Sequence, residues 1–336
     1  MSESRGQSVL AAINPEATPD EIAAMADDIA QAAQDEASAT GNAFFSRRLF
    51  TPIMLVVMVA VFNQLSGINA ILYFAPRILG MAGLEDARTG QVLIGVVNLV
   101  FTIGGLWLID RVGRRTLLLI GSVGYIASLA VVSATFYQND AALRVAGDAV
   151  ELKTAAAALS GAEASGTSGK ALESIAAKAA DARAALVQST SAEAYVGPAA
   201  EIAGDATNED LIAAADAAAQ ATAATRGSSG PIVLLGILAF IAAHAIGQGA
   251  VIWVLISEVF PNEHRAAGNS LGSGTHWVFA ALVTRFIPQA VEALGAGTVF
   301  AFFGAVMVLQ LLWVLTAVPE TKGVPLEELQ RRLGVT

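Results

Sequence analysis

The sequence predicts an all-α membrane protein whose six transmembrane helices form two successive three-helix repeats. Of its 336 residues, 55% are hydrophobic and only 14% are charged, whereas about 25% of the residues of an average soluble domain are charged. The apolar residues are concentrated in six segments, each near the ~20 residues that a helix needs to cross a bilayer. The first and fourth segments are each interrupted by glycine, so the first three segments and the last three correspond as two repeats.

The six predicted spans lie near residues 50–80, 90–109, 116–137, 231–257, 268–290 and 297–318. Each is predicted to be helical, because a backbone in lipid must satisfy its own hydrogen bonds. One side of the predicted membrane carries most of the basic residues: Arg47, Arg48, Arg111, Arg114, Arg115, Arg265, Lys322, Arg331 and Arg332. The other side carries Arg77, Arg88 and Arg285. The positive-inside rule therefore predicts that both termini are cytoplasmic.

The remaining segments are not predicted to cross the membrane. Residues 1–45 place apolar side chains at helical spacing among acidic ones, which predicts amphipathic helices on the cytoplasmic face. Residues 138–229, between the triplets 46–137 and 230–319, form an Ala-rich insertion with six basic and twelve acidic residues, predicted to be extracytoplasmic. Because large apolar residues are sparse there, we expect loose helices or disorder without a packed core. Residues 320–336 are predicted to be a cytoplasmic tail.

The two interruptions are the first indication of function. They fall at Ser66-Gly67 and at 247–249, in the first member of each triplet. Interrupted helices at matching positions of two repeats point to a transporter substrate site. Near the first interruption Gln64, Asn69 and Tyr73 are polar at membrane depth. Amides and phenols suit a polyhydroxylated ligand, but hydrogen bonding between helices accounts for them equally well.

Three charged motifs fall at the predicted cytoplasmic face. They read IDRVGRRT from Ile109, SEVFPNEHR from Ser257 and PETKG from Pro319. The arginines alone are typical of the positive-inside bias, but the three motifs together supply both signs of charge. They predict a salt-bridge network formed by Asp110, Arg111, Arg114, Arg115, Glu258, Arg265 and Glu320.

With NQLSGIN at 63–69, these motifs resemble, in the same order, those of the sugar porters of the major facilitator superfamily. The resemblance covers residues 8–137 and 230–330. It implies that the chain is the C-terminal six-helix bundle of a major facilitator fold and that 8–30 corresponds to the cytoplasmic linker. It also implies transport of a monosaccharide, a hexose or a pentose, by alternating access.

The resemblance also implies substrate contacts by position. They are Gln64, Asn69, Asn98, Trp253, His276 and Trp277, with Trp253 packed on the sugar ring. For His276 the alternative is a hydrogen bond between helices. The sequence departs from the family pattern at Asn63, which replaces a glutamine, and at GQGAVIW, which lacks the prolines of GPGPIPW. The identity of the sugar is therefore left open.

The composition also limits the other function classes. The net charge of −10 disfavours nucleic acid as a partner. The three histidines, His244, His264 and His276, form no metal-binding pattern, and no motif predicts an enzyme or a cofactor. The expected partners are a monosaccharide, the lipid of the plasma membrane, and a separate N-terminal six-helix half or a second copy. The alternative function is a truncated or degenerate membrane protein that acts as a scaffold or regulator without transport.

Overall fold

The computed structural model describes residues 8–12, 18–27, 44–81, 87–324 and 326–334. These residues are largely helical, and they include six segments long and apolar enough to cross a membrane. The six predicted spans are thereby confirmed. Of the predicted amphipathic segment, residues 8–12 and 19–27 are helical. Residues 1–7, 13–17 and 28–43 of that segment lie outside the described residues.

From residue 50 onward the described chain contains twelve α-helices and one π-helical segment. The first span contains α1 (Phe50–Leu65) and α2 (Ile68–Tyr73), and α3 (Ala75–Met81) continues it. The second span is α4 (Ala87–Val112). The third, α5 (Arg114–Ala164), is followed by α6 (Lys170–Thr190) and α7 (Asn208–Arg226). The fourth consists of α8 (Ser229–His244), a π-helical segment (Ala245–Gly249) and α9 (Ala250–Glu258). The fifth is α10 (Asn262–Leu294), the sixth is α11 (Ala296–Ala317), and α12 (Leu326–Arg332) follows.

Helix α5 forms the centre of the bundle. Its buried Tyr125, Leu129 and Phe136 pack in one apolar cluster with residues of α8 and α11, such as Phe240 and Phe300. A second cluster, nearer the start of α5, joins it to α1 and α9. Between membrane helices such packing stabilises mainly through van der Waals contact, because lipid is as apolar as the side chains.

The insertion does not have the loose structure that its composition predicts. Helix α5 continues past a kink at Asn139 (φ −134°, ψ 22°), and α6 and α7 pack against this continuation. Leu152, Leu186 and Leu211 are buried among alanines in a cluster of their own. The expectation that 138–229 lacks a packed core is therefore wrong. Small side chains let helices approach closely, so a few leucines fill the space between them.

The insertion is tied to the first span by an ion pair. The Arg77 guanidinium of α3 lies 2.6 Å from the Asp148 carboxylate and 3.1 Å from that of Glu151, both on α5. The Asp148 side chain is only 3% exposed. Gly80 of α3 meets Val150 so closely that an added Cβ would lie 2.7 Å from the valine Cβ. The first span therefore ends in a fixed contact with α5.

Candidate binding site between the two broken helices

The first break is a turn that separates α1 from α2. The Ser66 hydroxyl donates to the carbonyl of Asn63 at 2.6 Å, and Gly67 adopts φ +88°, a left-handed conformation that favours glycine. The Phe303 ring of α11 lies against Gly67, 2.5 Å from the position of an added Cβ. The interruption predicted at Ser66-Gly67 is thus confirmed.

The second break is a π-helical segment, a feature often found at functional sites. Here Gly247 faces Gly121 of α5, and an added Cβ on Gly247 would lie 2.8 Å from the Gly121 Cα. On the α4 side, an added Cβ on Gly105 would lie 2.9 Å from the carbonyl oxygen of Ala245. The predicted interruption at 247–249 is confirmed, and backbone atoms of two other helices surround it.

A pocket of about 310 Å³ lies between the two breaks. Its lining comes from α1, α2, α4, the fourth span and α10. The lining residues are Asn63, Gln64, Ile68, Asn69, Leu72, Asn98, Thr102, His244, Ala245, Gly249, Ile252, Trp253, His276 and Trp277. Many of these side chains carry hydrogen-bonding groups, yet Asp, Glu, Lys and Arg do not occur among them. Such a pocket suits an uncharged ligand with many hydrogen-bonding groups.

The Gln64 amide organises the polar wall of this pocket. Its Nε2 lies 3.0 Å from the His276 ring nitrogens of α10 and donates to Asn63 Oδ1 at 3.2 Å. Its Oε1 accepts from Asn69 Nδ2 at 2.7 Å. Gln64 itself is fully buried. The interhelical hydrogen bond proposed as an alternative for His276 is therefore present, and His276 also lines the pocket.

Aromatic side chains form the open side of the pocket, next to His276. Trp253 lies 5.1 Å from the His276 ring, and Trp277 lies 5.2 Å from it, measured between ring centroids. Trp253 is 44% exposed and Trp277 is 60% exposed. Asn98 is an exposed part of the lining. The structure thus brings six of the seven predicted contacts to one pocket.

Tyr73 is the predicted contact that the structure does not bring to the pocket. It ends α2, is 58% exposed, and is absent from the lining, whereas Asn69 and Leu72 of the same helix belong to it. Helical periodicity does not account for this, because Tyr73 follows Asn69 by four residues and so shares its face of α2. Tyr73 is the last residue of α2, one turn further from the break at Gly67 than Asn69.

Sequence reasoning did not identify three of the polar residues in the lining as ligand contacts. Asn63 was noted only as a departure from the family pattern, Thr102 was not singled out, and His244 was considered only as a metal ligand. His244 immediately precedes the predicted interruption of the fourth span. Its position beside the break was the signal that could have identified it.

A second polar region lies where α5 begins. Arg114 forms ion pairs with Asp110 at 2.9 Å and with Glu258 at 2.8 Å. The Glu320 carboxylate accepts from the Arg114 backbone N–H at 2.9 Å, at the N-terminus of α5 where a negative charge is favourable. Glycine is required at 113, since its φ is +102° and an added Cβ would meet that carboxylate.

The other arginines of the predicted network make different contacts. Arg115 donates to the carbonyls of Val314 and Leu315 near the end of α11. Arg111 donates to the Trp107 carbonyl and lies 4.0 Å from the Trp107 ring. Arg265 lines a neighbouring cavity with Glu258, and its Nε has no hydrogen-bond partner in the described part of the chain. The ion pairs therefore centre on Arg114.

Six apolar spans in two groups of three, each opening with a broken helix, define an integral membrane protein with the architecture of half a major facilitator fold. The chain belongs to the sugar (and other) transporter family, whose model matches residues 2–157 and 211–333. The stretch between these two ranges lies within the insertion.

Individual relatives agree with this assignment. The chain is 29% identical over 290 residues to "Probable inositol transporter 2" of Arabidopsis thaliana, covering 81% of this chain and 47% of the relative. It is 24% identical over 292 residues to the arabinose-proton symporter of Bacillus subtilis, covering 84% and 44%. The inward-open xylose transporter XylE from E. coli shares the fold, with a TM-score of 0.52 and 22% identity over 98% of this chain and 50% of that one. The chain thus spans about half the length of the relatives it matches.

Proposed function

We propose that the chain contributes the sugar-binding C-terminal bundle of a transporter that moves a neutral monosaccharide, a hexose or pentose, by alternating access. The observation that carries the proposal is the pocket between the two breaks, which is rich in amides and imidazoles and has no charged side chain in its lining. Amide and imidazole groups pair with hydroxyls in both directions, as donors and as acceptors. A carboxylate or phosphate on the ligand would meet no countercharge there.

The tryptophans supply the apolar part of the proposed site. Trp253 lies beside His276 on the open side of the pocket, where its indole can cover the apolar face of a sugar ring. Inositol, arabinose and xylose, which appear in the names of the relatives, are all uncharged and polyhydroxylated. This chemistry supports a neutral sugar as the substrate.

We propose that an N-terminal six-helix bundle completes the site. Only 17% of the most apolar stretch of α4 and 11% of that of α10 are buried, against 39–56% in the other spans. These two helices supply Asn98, Thr102, His276 and Trp277 to the pocket, so its open side lies next to the least covered helices. Polar groups facing lipid are costly. Relatives about twice as long support a second bundle, and pairing of two copies is the alternative.

The proposed orientation places both termini in the cytoplasm of a cell whose plasma membrane holds the protein, following the positive-inside rule. The Arg114 ion pairs then lie at the cytoplasmic face and hold α5 to α9 in one state of the transport cycle.

Equilibrium binding to the purified chain in lipid nanodiscs tests the proposed substrate class. A panel of labelled pentoses, hexoses, inositol and a sugar acid should give saturable binding to at least one neutral member and none to the acid. Gln64→Ala should weaken binding by about 1–3 kcal/mol, because Asn63, Asn69 and His276 lose their common partner. Trp253→Ala should weaken it by about 1 kcal/mol through lost ring contact.

Gln310→Leu is the matched control for Gln64→Ala. Gln310 is also a fully buried glutamine, it lies outside the pocket lining, and both its amide atoms lack partners in the described residues. Its replacement should leave sugar affinity unchanged. Preferred binding of the sugar acid, or full affinity in both Gln64→Ala and Trp253→Ala, would contradict the assignment of the site.

Uptake into proteoliposomes tests the need for a second bundle. The chain alone should bind sugar without catalysing saturable, stereoselective uptake, because transport in this superfamily rocks one six-helix bundle against another. Uptake by the chain alone as a monomer would show that no second bundle is required. Uptake by a cross-linked dimer would favour self-association.

A further inference from the structure

His244 occupies a position in the pocket that the Gln64 network does not explain. It ends α8 directly before the π-helical segment and lines the same cavity as Gln64. Its hydrogen-bond partner is on α5, not on α1 or α10. His244 is therefore held independently of the amide and imidazole groups around Gln64.

The partner of His244 is the buried phenol of Tyr125. The Tyr125 hydroxyl oxygen lies 2.5 Å from His244 Nδ1, and Tyr125 is 0% exposed. A buried hydroxyl that donates no hydrogen bond is costly. Within the described residues Nδ1 is the acceptor in hydrogen-bond geometry with this hydroxyl, whereas the nearby Ser66 hydroxyl donates its own proton to the Asn63 carbonyl. A neutral imidazole has one donor and one acceptor nitrogen. The phenol can satisfy its donor at Nδ1, and in that tautomer the proton of the ring lies on Nε2.

The Nε2 edge of the ring lies beside Gly249. An added Cβ at Gly249 would come within 3.2 Å of both Nε2 and Cδ2, so a larger residue there would press on this edge. Within the described residues Nε2 makes no hydrogen bond to the protein, and both His244 and Gly249 line the pocket. The donor edge of the ring is thus free to meet a ligand.

We propose that His244 is a specificity-determining contact, donating its Nε2–H to one hydroxyl or ring oxygen of the bound sugar, and that Tyr125 is the positioning residue that holds this tautomer. The proposal rests on the proposed sugar-binding function and deepens it. It gives the fourth span a hydrogen-bond donor of its own in the pocket, separate from the Gln64 network of the first span.

A series of singly deoxygenated and singly fluorinated analogues of the best-bound sugar tests the contact. The wild-type chain should lose affinity on the order of tenfold for the analogue that lacks the oxygen contacted by His244. His244→Phe should bind the parent sugar about as weakly and no longer distinguish it from that analogue. Gln64→Ala should retain this particular discrimination.

Tyr125→Phe tests the positioning role with a readout that stability alone would not change. The ¹⁵N shifts of the His244 ring should show an unprotonated Nδ1 in the wild-type chain and a mixture of tautomers in Tyr125→Phe, with a severalfold loss of sugar affinity. The matched control is Tyr137→Phe, which removes an exposed hydroxyl bonded to Thr298 and should change neither. Thermal unfolding of each variant identifies any that fail to fold.

The outcomes separate this inference from the proposed function. If the wild-type chain binds sugar and His244→Phe keeps both its affinity and its ranking of analogues, the contact is refuted and the sugar site stands. A wild-type ring protonated on Nδ1 refutes the role of Tyr125. If the wild-type chain binds no sugar of the panel, the proposed function fails and the contact fails with it.

Discussion

The first and fourth spans are broken at matching places but in different ways. The first stops and restarts at Gly67, and the neighbour that fills the space is a side chain, the Phe303 ring. The fourth keeps winding through a π-helical segment, and its neighbours are backbone atoms, including the Gly121 Cα. The Phe303 ring can rotate to make room, whereas the fourth span and α5, whose backbones are in contact, can only move apart as whole helices. We infer that the first span forms the adaptable wall of the pocket and the fourth span the fixed wall.

Both broken helices are anchored to the same third helix. Beyond its break the first span is tied to α5 through Arg77 and Asp148, and the fourth through Glu258 and Arg114. Arg114 and Asp148 lie about 50 Å apart along α5 at a rise of 1.5 Å per residue. The two anchors are therefore at opposite ends of the bundle, and each can be weakened without touching the other.

The largest effect is expected where the fixed wall meets α5. Gly247→Ala would place a Cβ 2.8 Å from the Gly121 Cα and 3.2 Å from the Leu117 carbonyl oxygen. Because neither neighbour is a movable side chain, we expect the free energy of unfolding to fall by about 3 kcal/mol. Thermal unfolding in detergent micelles measures it.

Gly104→Ala is the control for Gly247→Ala, since an added Cβ at Gly104 meets no atom within 4 Å. It should be neutral or stabilising by up to about 1 kcal/mol, because alanine is the better helix former. Equal losses in the two variants would mean that glycine itself, and not the close approach of the helices, determines the result.

Gly67→Ala should have a smaller effect on the adaptable wall. A left-handed backbone costs a non-glycine residue about 1–2 kcal/mol, and the Phe303 ring can move aside. Gly323→Ala measures the backbone cost alone, because Gly323 has φ +67° and an added Cβ there meets no atom within 4 Å. If Gly67→Ala cost more than Gly247→Ala in the same unfolding measurement, the assignment of adaptable and fixed walls would be reversed.

Weakening the anchor of the first span should loosen that span alone. Asp148→Asn keeps a hydrogen-bond acceptor for Arg77 but removes the charge, so we expect a loss of about 1 kcal/mol. Hydrogen exchange should become faster in residues 68–81 and stay unchanged in residues 229–258. The control is Asp216→Asn, which removes the negative charge that pairs with Lys153 in a more exposed ion pair within the insertion. Faster exchange in both spans would contradict separate anchoring.

The smallest effects are expected at the two ion pairs of Arg114. Glu258→Gln should lower the free energy of unfolding by about 0.5 kcal/mol, since this pair with Arg114 is partly screened by solvent. Asp110→Asn should change it less, because the Asp110 side chain is 78% exposed. Thermal unfolding of both variants at low and at high salt measures the two losses of unfolding free energy. Equal losses would contradict the expectation that the Glu258 pair contributes more than the Asp110 pair.

The sequence predicted the parts of this architecture that follow from local pattern. The six apolar segments predicted the six spans, and the glycines in the first and fourth segments predicted both breaks. Each of these patterns lies within a single helix. The two kinds of break were not predicted. The neighbours that meet the two breaks, Phe303 at Gly67 and Gly121 at Gly247, are distant in sequence.

The features that sequence analysis predicted wrongly or missed also depend on contacts between different helices. The packed core of the insertion depends on alanine-lined helices approaching one another, which the count of large apolar residues did not reveal. Tyr73 was grouped with Gln64 and Asn69 by its nearness in sequence, but it lies at the end of α2, one turn beyond Asn69, and is exposed outside the pocket lining. The Tyr125–His244 pair joins residues 119 positions apart. No local pattern predicts such a pair.

Photoaffinity labelling of the sugar site tests most directly whether the two breaks form the walls of one pocket. The purified chain is labelled in nanodiscs with a photoreactive analogue of its best-bound sugar, with and without excess parent sugar, and the modified residues are located by mass spectrometry. We predict competed labelling on both sides, within residues 63–72 and within residues 244–253. Competed labelling confined to one break, or located on the insertion, would contradict the account.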